Sequence, residues 1–416
     1  MLVELARQGG FWKPDSLVVA VAAMILILGQ VLFIPASRTH WAVICSLLAL
    51  AAWWFIRASI SGPGTNAMPF AASIAGFVAA FIVVSSLRTR ERYLAGLAVA
   101  GLGTIGAALG FAGLFMRWFP MAMRAQNLWR LSTTLTYSDA AGLFLGLSLL
   151  VALAGDKRNL LSRIAVCLCA GGLIAAQSRG ALIAVLCAAA FVPLRQYLEF
   201  LVPLIAGAVL GIAAVATSHT DQTVPLLGVV FVIAVLVSLM QTPSKFLPFA
   251  RRHKTAIWAL VIIALVVSGL IVHYEIALRV LSPSSQDRAV EWSAALHQFE
   301  SSPLFGVGPD RLLHFHASDG TYAHFAHNEY LQVLADGGLV GFALLIFAMG
   351  VLAKAVRRVD VISSCAVAAL VCFAVGGVFD FDWHLPFLGL LAGWIAGLSV
   401  KRTEEMEVNK ATILGK

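Results

Sequence analysis

The chain has 416 residues, of which 60% are hydrophobic and only 12% charged, with a mean hydropathy of +0.89. Average soluble domains carry about twice that share of charge, so a soluble globular fold is excluded. The formal net charge of +8 is spread over short loops between apolar runs, and no nucleic-acid partner is expected.

Apolar runs recurring along the whole length predict an all-α polytopic membrane protein, because a bilayer tolerates only backbone that pairs its own polar groups. Candidate spans fall at 16–35, 41–57, 68–87, 93–116, 139–155, 163–177, 180–194, 198–217, 222–241, 255–273, 336–353, 361–379 and 386–400. No cleavable signal peptide is expected: the first residues are polar, and Asp15 borders a run that reads as a retained span. Cys45, Cys167, Cys169, Cys187, Cys365 and Cys372 all lie inside apolar runs and read as packing residues, not as disulfides or metal ligands.

Loop charge sets the orientation. Arg88 to Arg92, Lys157 with Arg158 and Arg163, Arg251 to Lys254, Lys354 with Arg357 and Arg358, and Lys401 with Arg402 occupy alternate loops, which places them in the cytoplasm. The opposite, periplasmic side then holds 117–138, the turn at Ser178-Arg179, a large loop at 274–335, and Asp380 to Pro386. Arg7 and Lys13 argue for a cytoplasmic N-terminus, so about twelve full crossings are expected, with one early segment not crossing. Domain boundaries follow: 1–273 and 336–400 as membrane helices, 274–335 as the large loop, and 401–416 as a cytoplasmic tail.

The periplasmic side is basic against the usual bias. Arg117, Arg124 and Arg130 share one loop, and Arg179, Arg279, Arg288 and Arg311 lie elsewhere on that side. An anionic ligand at the outer leaflet accounts for them, since the planar guanidinium holds phosphate oxygens bidentately and stays charged. Contact with lipid headgroups is the alternative for Arg117 and Arg124. Arg179 stands between two apolar runs with only Gln177 and Ser178 as polar neighbours, where a charge faces a cavity or the bundle interior.

In the large loop, Pro283 to Asp287 predicts a helix start and Ser301-Ser302-Pro303 its end. Ala289, Trp292, Leu296 and Phe299 form the expected apolar stripe, with Arg288 beside it. His297, His314, His316, His324 and His327 fall in the same loop. No HExxH motif occurs among them and no Asp-x-Asp motif of the sugar-nucleotide kind is recognised, so no metal and no cofactor is expected. His327 is the candidate general base, because imidazole titrates near the operating pH. Nearby arginines are expected to lower its pKa and keep it neutral. Asn328 and Glu329 are placed to orient it or a sugar.

Three motifs, in order, carry a family resemblance: Gln177-Ser178-Arg179-Gly180-Ala181; Arg288 and Trp292 followed by Ser302-Pro303-Leu304-Phe305-Gly306-Val307-Gly308-Pro309; and His327-Asn328-Glu329-Tyr330-Leu331-Gln332 followed by Gly337-Gly338-Leu339-Val340-Gly341. Together they resemble the signature of the O-antigen ligase and polymerase superfamily of integral membrane glycosyltransferases. The resemblance implies a GT-C-like, metal-independent, inverting transfer at the periplasmic face of the bacterial inner membrane. The donor implied is a glycan on undecaprenyl pyrophosphate, and for ligase members the acceptor is lipid A–core oligosaccharide. Arg179 and Arg288 then hold the pyrophosphate, helped by Arg117, Arg124, Arg130 or Arg311. Asp139 stands where the family pattern leads one to expect a small amide residue. A polymerase or a protein O-oligosaccharyltransferase of the same superfamily remains an alternative. So does a small-anion transporter, although no internal repeat is visible.

Overall fold

The computed structural model describes residues 9, 12–33, 38–125, 127–240, 283–310 and 325–400. The apolar runs become helices: α1 (Lys13–Phe33), α2 (Arg38–Ser61), α3 (Met68–Ser85), α4 (Thr89–Met116), α5 (Ser138–Ala152), α6 (Leu160–Ala175), α7 (Arg179–Ala189), α8 (Leu194–Glu199), α9 (Leu201–Ala216), α10 (Pro225–Ser238), α11 (Pro283–Ser301), α12 (Glu329–Ala355), α13 (Val361–Gly376) and α14 (Pro386–Ser399). Among the described residues, four helices are long and apolar enough to cross a membrane: His40–Ser61, Gly64–Ser85, Thr89–Met116 and Glu329–Ala355. Eight other apolar helices are shorter than that measure requires. The span expected at 255–273 lies outside the described residues.

Small side chains set how closely the helices pack. Gly389, Gly393 and Gly397 recur every fourth residue along α14 and press against Ser73, Phe77 and Val84 of α3. A Cβ on Gly393 would stand 2.1 Å from the Phe77 carbonyl oxygen, so the contact is backbone on backbone, as in other small-residue membrane interfaces. α6 meets α9, α2 meets α12, and α13 packs on both α5 and α7.

The helix ends sort to two rims. At one, Arg92 donates to the Leu398 carbonyl, Arg163 to Leu239, and Arg358 to Phe191 at 3.0 Å, while the Arg357 N–H donates to Ser399. Arg195 and Lys157 share Glu199 at 2.7 and 3.5 Å. Nearly all the described basic loops therefore end up on this rim. The other rim gathers the loop after α4, the start of α7, α11, the start of α12 and the α13–α14 connector.

Three features depart from the sequence expectations. The loop after α4 holds a hairpin, β1 (Ala122–Ala125) paired antiparallel with β2 (Leu128–Leu131), in which Met123 faces Arg130 and Arg124 faces Trp129. Ala122 and Leu131 are fully buried, but strands of four residues alternate too briefly to stand out in sequence. The buried face of α11 is Glu291 and Ala295, while Ala289 and Leu296 are exposed. The predicted stripe is thus rotated, because the polar Glu291 turns inward. And α12 starts at Glu329, not at 336: Asn328 caps it by accepting the Leu331 N–H at 3.1 Å.

The glycine-rich motifs turn out to lock onto each other. Gly338, at φ 64° and ψ −165°, breaks α12. The Leu339 and Val340 N–H groups donate to the Pro303 and Leu304 carbonyls at 2.9 and 3.2 Å. In return the Ala335 and Asp336 carbonyls accept from Val307 and Gly308 at 2.8 and 2.9 Å. Arg57 donates to the Gly306 carbonyl at 2.6 Å, and the Trp53 indole to Gly337 at 3.0 Å. A Cβ on Gly338 would come within 2.5 Å of the Gly306 nitrogen, and its positive φ is strained for any other residue, at about 1–3 kcal/mol. Gly338→Ala is therefore expected to lower the thermal unfolding midpoint of the purified protein. Gly350→Ala, in the same helix with open space around it, should leave the midpoint unchanged or slightly raised. Equal midpoints for the two variants would contradict this account of the kink.

Candidate functional site

His327 lies two residues before α12, at φ 43°, with its side chain turned into the rim. Its Nδ1 is 2.9 Å from Asp380 Oδ1 and its Nε2 is 3.8 Å from Glu291 Oε1. Asp380 sits in the α13–α14 connector. Its Oδ1 also accepts the Phe381 N–H at 2.9 Å, and its Oδ2 accepts the Tyr137 hydroxyl at 2.7 Å. The carboxylate contact assigns the proton of a neutral imidazole to Nδ1, which leaves the Nε2 lone pair available.

The electrostatics reverse the sequence expectation. Burial works to lower the His327 pKa, but the hydrogen bond and charge of Asp380, with Glu291 added, outweigh both burial and the opposing charge of Arg288, so it is raised. The expected lowering counted the arginines and missed the carboxylates. For Arg288, burial is likewise outweighed by Asp380, Asp139, Tyr137 and Glu291, which hold the guanidinium charged. Burial, then Asp380 and Asp139, push the Tyr137 hydroxyl well above its usual range, so it remains a donor.

The arginines divide between the two faces of the hairpin. On one face, Arg124 pairs with Asp221 at 2.9 Å, Trp129 donates to the same carboxylate at 2.8 Å, and Arg117 lies 5.7 Å from the Trp129 ring centre while donating to the Thr217 carbonyl. Arg124 and Asp221 are each about half exposed, a setting in which an ion pair contributes little. On the other face Arg130 reaches Asp139 at 2.8 Å and donates to the Ala176 and Gln177 carbonyls at 3.0 and 3.3 Å. Arg288, from α11, approaches the same Asp139 at 3.8 Å. Arg179 opens α7, half-buried, between Ser178 and Gly180. Those two residues line a cavity of about 10 Å³ together with Asp139, Arg288, Asp380 and Asp382, room for about one water.

The structure thus brings His327, Arg288 and Arg130 together, with Arg179 adjoining, and sets Arg117 and Arg124 on the far side of the hairpin. Asn328 is engaged as the cap of α12. Glu329 is fully buried and faces His384 Nδ1 at 3.3 Å, away from His327. Arg279, Arg311, His314, His316 and His324 lie outside the described residues. Tyr137, Asp380 and Glu291 went unrecognised as partners of the histidine. Asp380-Phe381-Asp382 is also an Asp-x-Asp pair that the motif reading passed over. Asp380 is taken up by His327, Tyr137 and Phe381. Burial, with Asp380, Asp139 and Glu329, drives Asp382 well above the usual carboxylate range. Among the described residues no group of three or more His, Cys, Asp or Glu is arranged to hold a metal.

A histidine held by a carboxylate, beside guanidinium groups at the mouth of apolar helices, defines a membrane protein equipped to take a proton next to an anion. Residues 208–346 match the family model described as O-antigen ligase, which is consistent with the O-antigen ligase and polymerase superfamily and supports a membrane glycosyltransferase. The match takes in Glu291, Arg288 and His327, and leaves Arg130, Asp139 and Asp380 outside it. No curated protein matches the chain.

Proposed function

We propose that the protein is an O-antigen ligase, transferring a glycan from undecaprenyl pyrophosphate to a sugar hydroxyl of lipid A–core oligosaccharide. The observation that carries the reading is that His327 pairs with Asp380, which lines one small cavity together with Arg288, and that His327 and Arg288 both fall within the family-matched span. The acceptor hydroxyl gives its proton to His327 Nε2 as its oxygen attacks the anomeric carbon. The bond from that carbon to the pyrophosphate oxygen breaks, and the configuration inverts. Asp380 on Nδ1 and Glu291 near Nε2 stabilise the imidazolium that forms. Pyrophosphate is already a good leaving group, so charge neutralisation by Arg288, Arg130 and Arg179 is the chief requirement. The chemistry assigned to these side chains needs no metal or cofactor.

The basic rim supports a cytoplasmic side by the positive-inside bias, and so supports our reading that the site on the opposite rim faces the periplasm. An apolar cavity of about 90 Å³, lined by Phe70, Phe77, Leu345, Phe373 and Trp383, offers an apolar lodging for a short part of a carrier lipid's isoprenoid chain. The test is purified protein supplied with carrier-linked glycan and one of three acceptors: lipid A–core, a Ser/Thr peptide, or a second carrier-linked glycan. Glycosylated lipid A–core is the expected product. Product on the peptide or the carrier alone would reassign the protein within the superfamily, and no product with any acceptor would defeat the enzyme reading.

A further inference from the structure

Among the described residues, Asp139 is the carboxylate that meets both Arg130 and Arg288 and not His327. Its Oδ1 is 2.8 Å from Arg130 Nη2 and its Oδ2 is 3.8 Å from Arg288 Nη2, so each oxygen meets a different guanidinium. Ser178 adds a side-chain hydrogen bond to the same group. Two oxygens presented to two arginines reproduce what a phosphoryl group offers. Arg130 is also anchored by the Ala176 and Gln177 carbonyls, so it stays at the site when Asp139 lets go of it. Arg288 makes only the longer contact to it, with its side chain 37% exposed.

The charge balance points the same way. Asp139 faces both Arg130 and Arg288, and Asp380 and Glu291 also act on Arg288, so these carboxylates compete with an incoming anion for the guanidinium charge. Asp380 is committed to His327, Tyr137 and the Phe381 N–H, and Glu291 stands at the other ring nitrogen of His327. Asp139 alone has no part in holding the base.

We infer that Asp139 is a built-in placeholder for the donor's phosphoryl oxygens, keeping Arg130 and Arg288 paired through its two oxygens until a diphosphate displaces it. The inference rests on the donor-binding reading above. It makes Asp139 a positioning residue that competes with the ligand and tunes affinity for it.

Inorganic pyrophosphate titrated calorimetrically into the full chain in lipid nanodiscs tests it, with wild type, Asp139→Asn, Asp139→Ser, Asp139→Glu and Arg288→Gln. Removing the competing charge in the Asn and Ser variants should lower Kd about tenfold, equivalent to about 1.4 kcal/mol, while Glu, which keeps the charge, should bind no tighter than wild type. Two neutral replacements guard against one of them failing to fold. A merely structural Asp139 predicts the opposite sign, since loosened arginines bind less well. Unchanged or weaker binding in the neutral variants, with binding by wild type that Arg288→Gln removes, overturns the placeholder and leaves donor binding standing. No binding by wild type or by either neutral variant overturns both.

Discussion

His327→Gln is expected to slow glycan transfer by about 10²–10⁴-fold, the range that general-base catalysis supplies. Glutamine fills the same space and can still hydrogen-bond to Asp380, so the loss isolates proton acceptance at Nε2. The donor should still bind, because the carbonyls of Ala176 and Gln177 that anchor Arg130 do not involve the imidazole. His297→Ala is the control: that ring is 78% exposed and pairs with Glu300 at 3.2 Å, away from the site, and its loss should leave transfer unaltered. The measurement is initial rate at saturating donor and acceptor, with donor binding followed separately. A His327→Gln enzyme within a few-fold of wild type would move the base elsewhere, and Glu291 would be the next group to test.

What sequence showed and what it hid divide along physical lines. Helix positions were legible wherever an apolar run ended at a cap or a proline, as at Pro225, Pro386 and Asp360, and the ends of α11 agree with the expected ones. The first two turns of α12 were hidden because Glu329, Gln332 and Asp336 look like loop until their partners are in place. Gln332 accepts the Ala326 N–H at 2.9 Å and donates to Asp336 at 2.8 Å, while His384 meets Glu329. The partners of His327 were hidden by separation along the chain: Asp380 is 53 residues away and Tyr137 is 190. A signal for Asp380 did exist, since ionisable residues interrupting two apolar runs mark interior or cavity positions. The basic character of the rim was legible, but its neutralisation by Asp139, Asp221 and Asp380 was not, because ion pairing depends on the fold and not on spacing. Hence the wrong sign for the histidine's pKa.

That sign gives the site its sharpest signature. A base must be deprotonated to work, so raising the His327 pKa moves the acidic limb of the rate profile above about pH 6.5, the ordinary imidazole value. Asp380→Asn removes the hydrogen bond to a charged acceptor and the negative charge, the two largest influences raising that pKa. Burial and the positive charge of Arg288, both lowering, are left opposed mainly by Glu291. The acidic limb of the variant should therefore shift to lower pH. Its plateau rate should fall as well, by about 10²-fold or more, because the imidazole loses the group that fixes its tautomer and stabilises its charged form. The two effects run in opposite directions at low pH: more of the enzyme carries a neutral base, yet each molecule turns over more slowly. A variant that merely disturbed folding would lose rate at every pH without moving the limb. Tyr137→Phe, which removes only the hydroxyl bonded to Asp380 Oδ2, should fall between the two, with a smaller loss of rate and a limb near that of wild type. Complete pH profiles of kcat for the three enzymes decide the matter, and a limb that stays in place in Asp380→Asn would remove Asp380 from its role as the group that holds and tunes His327.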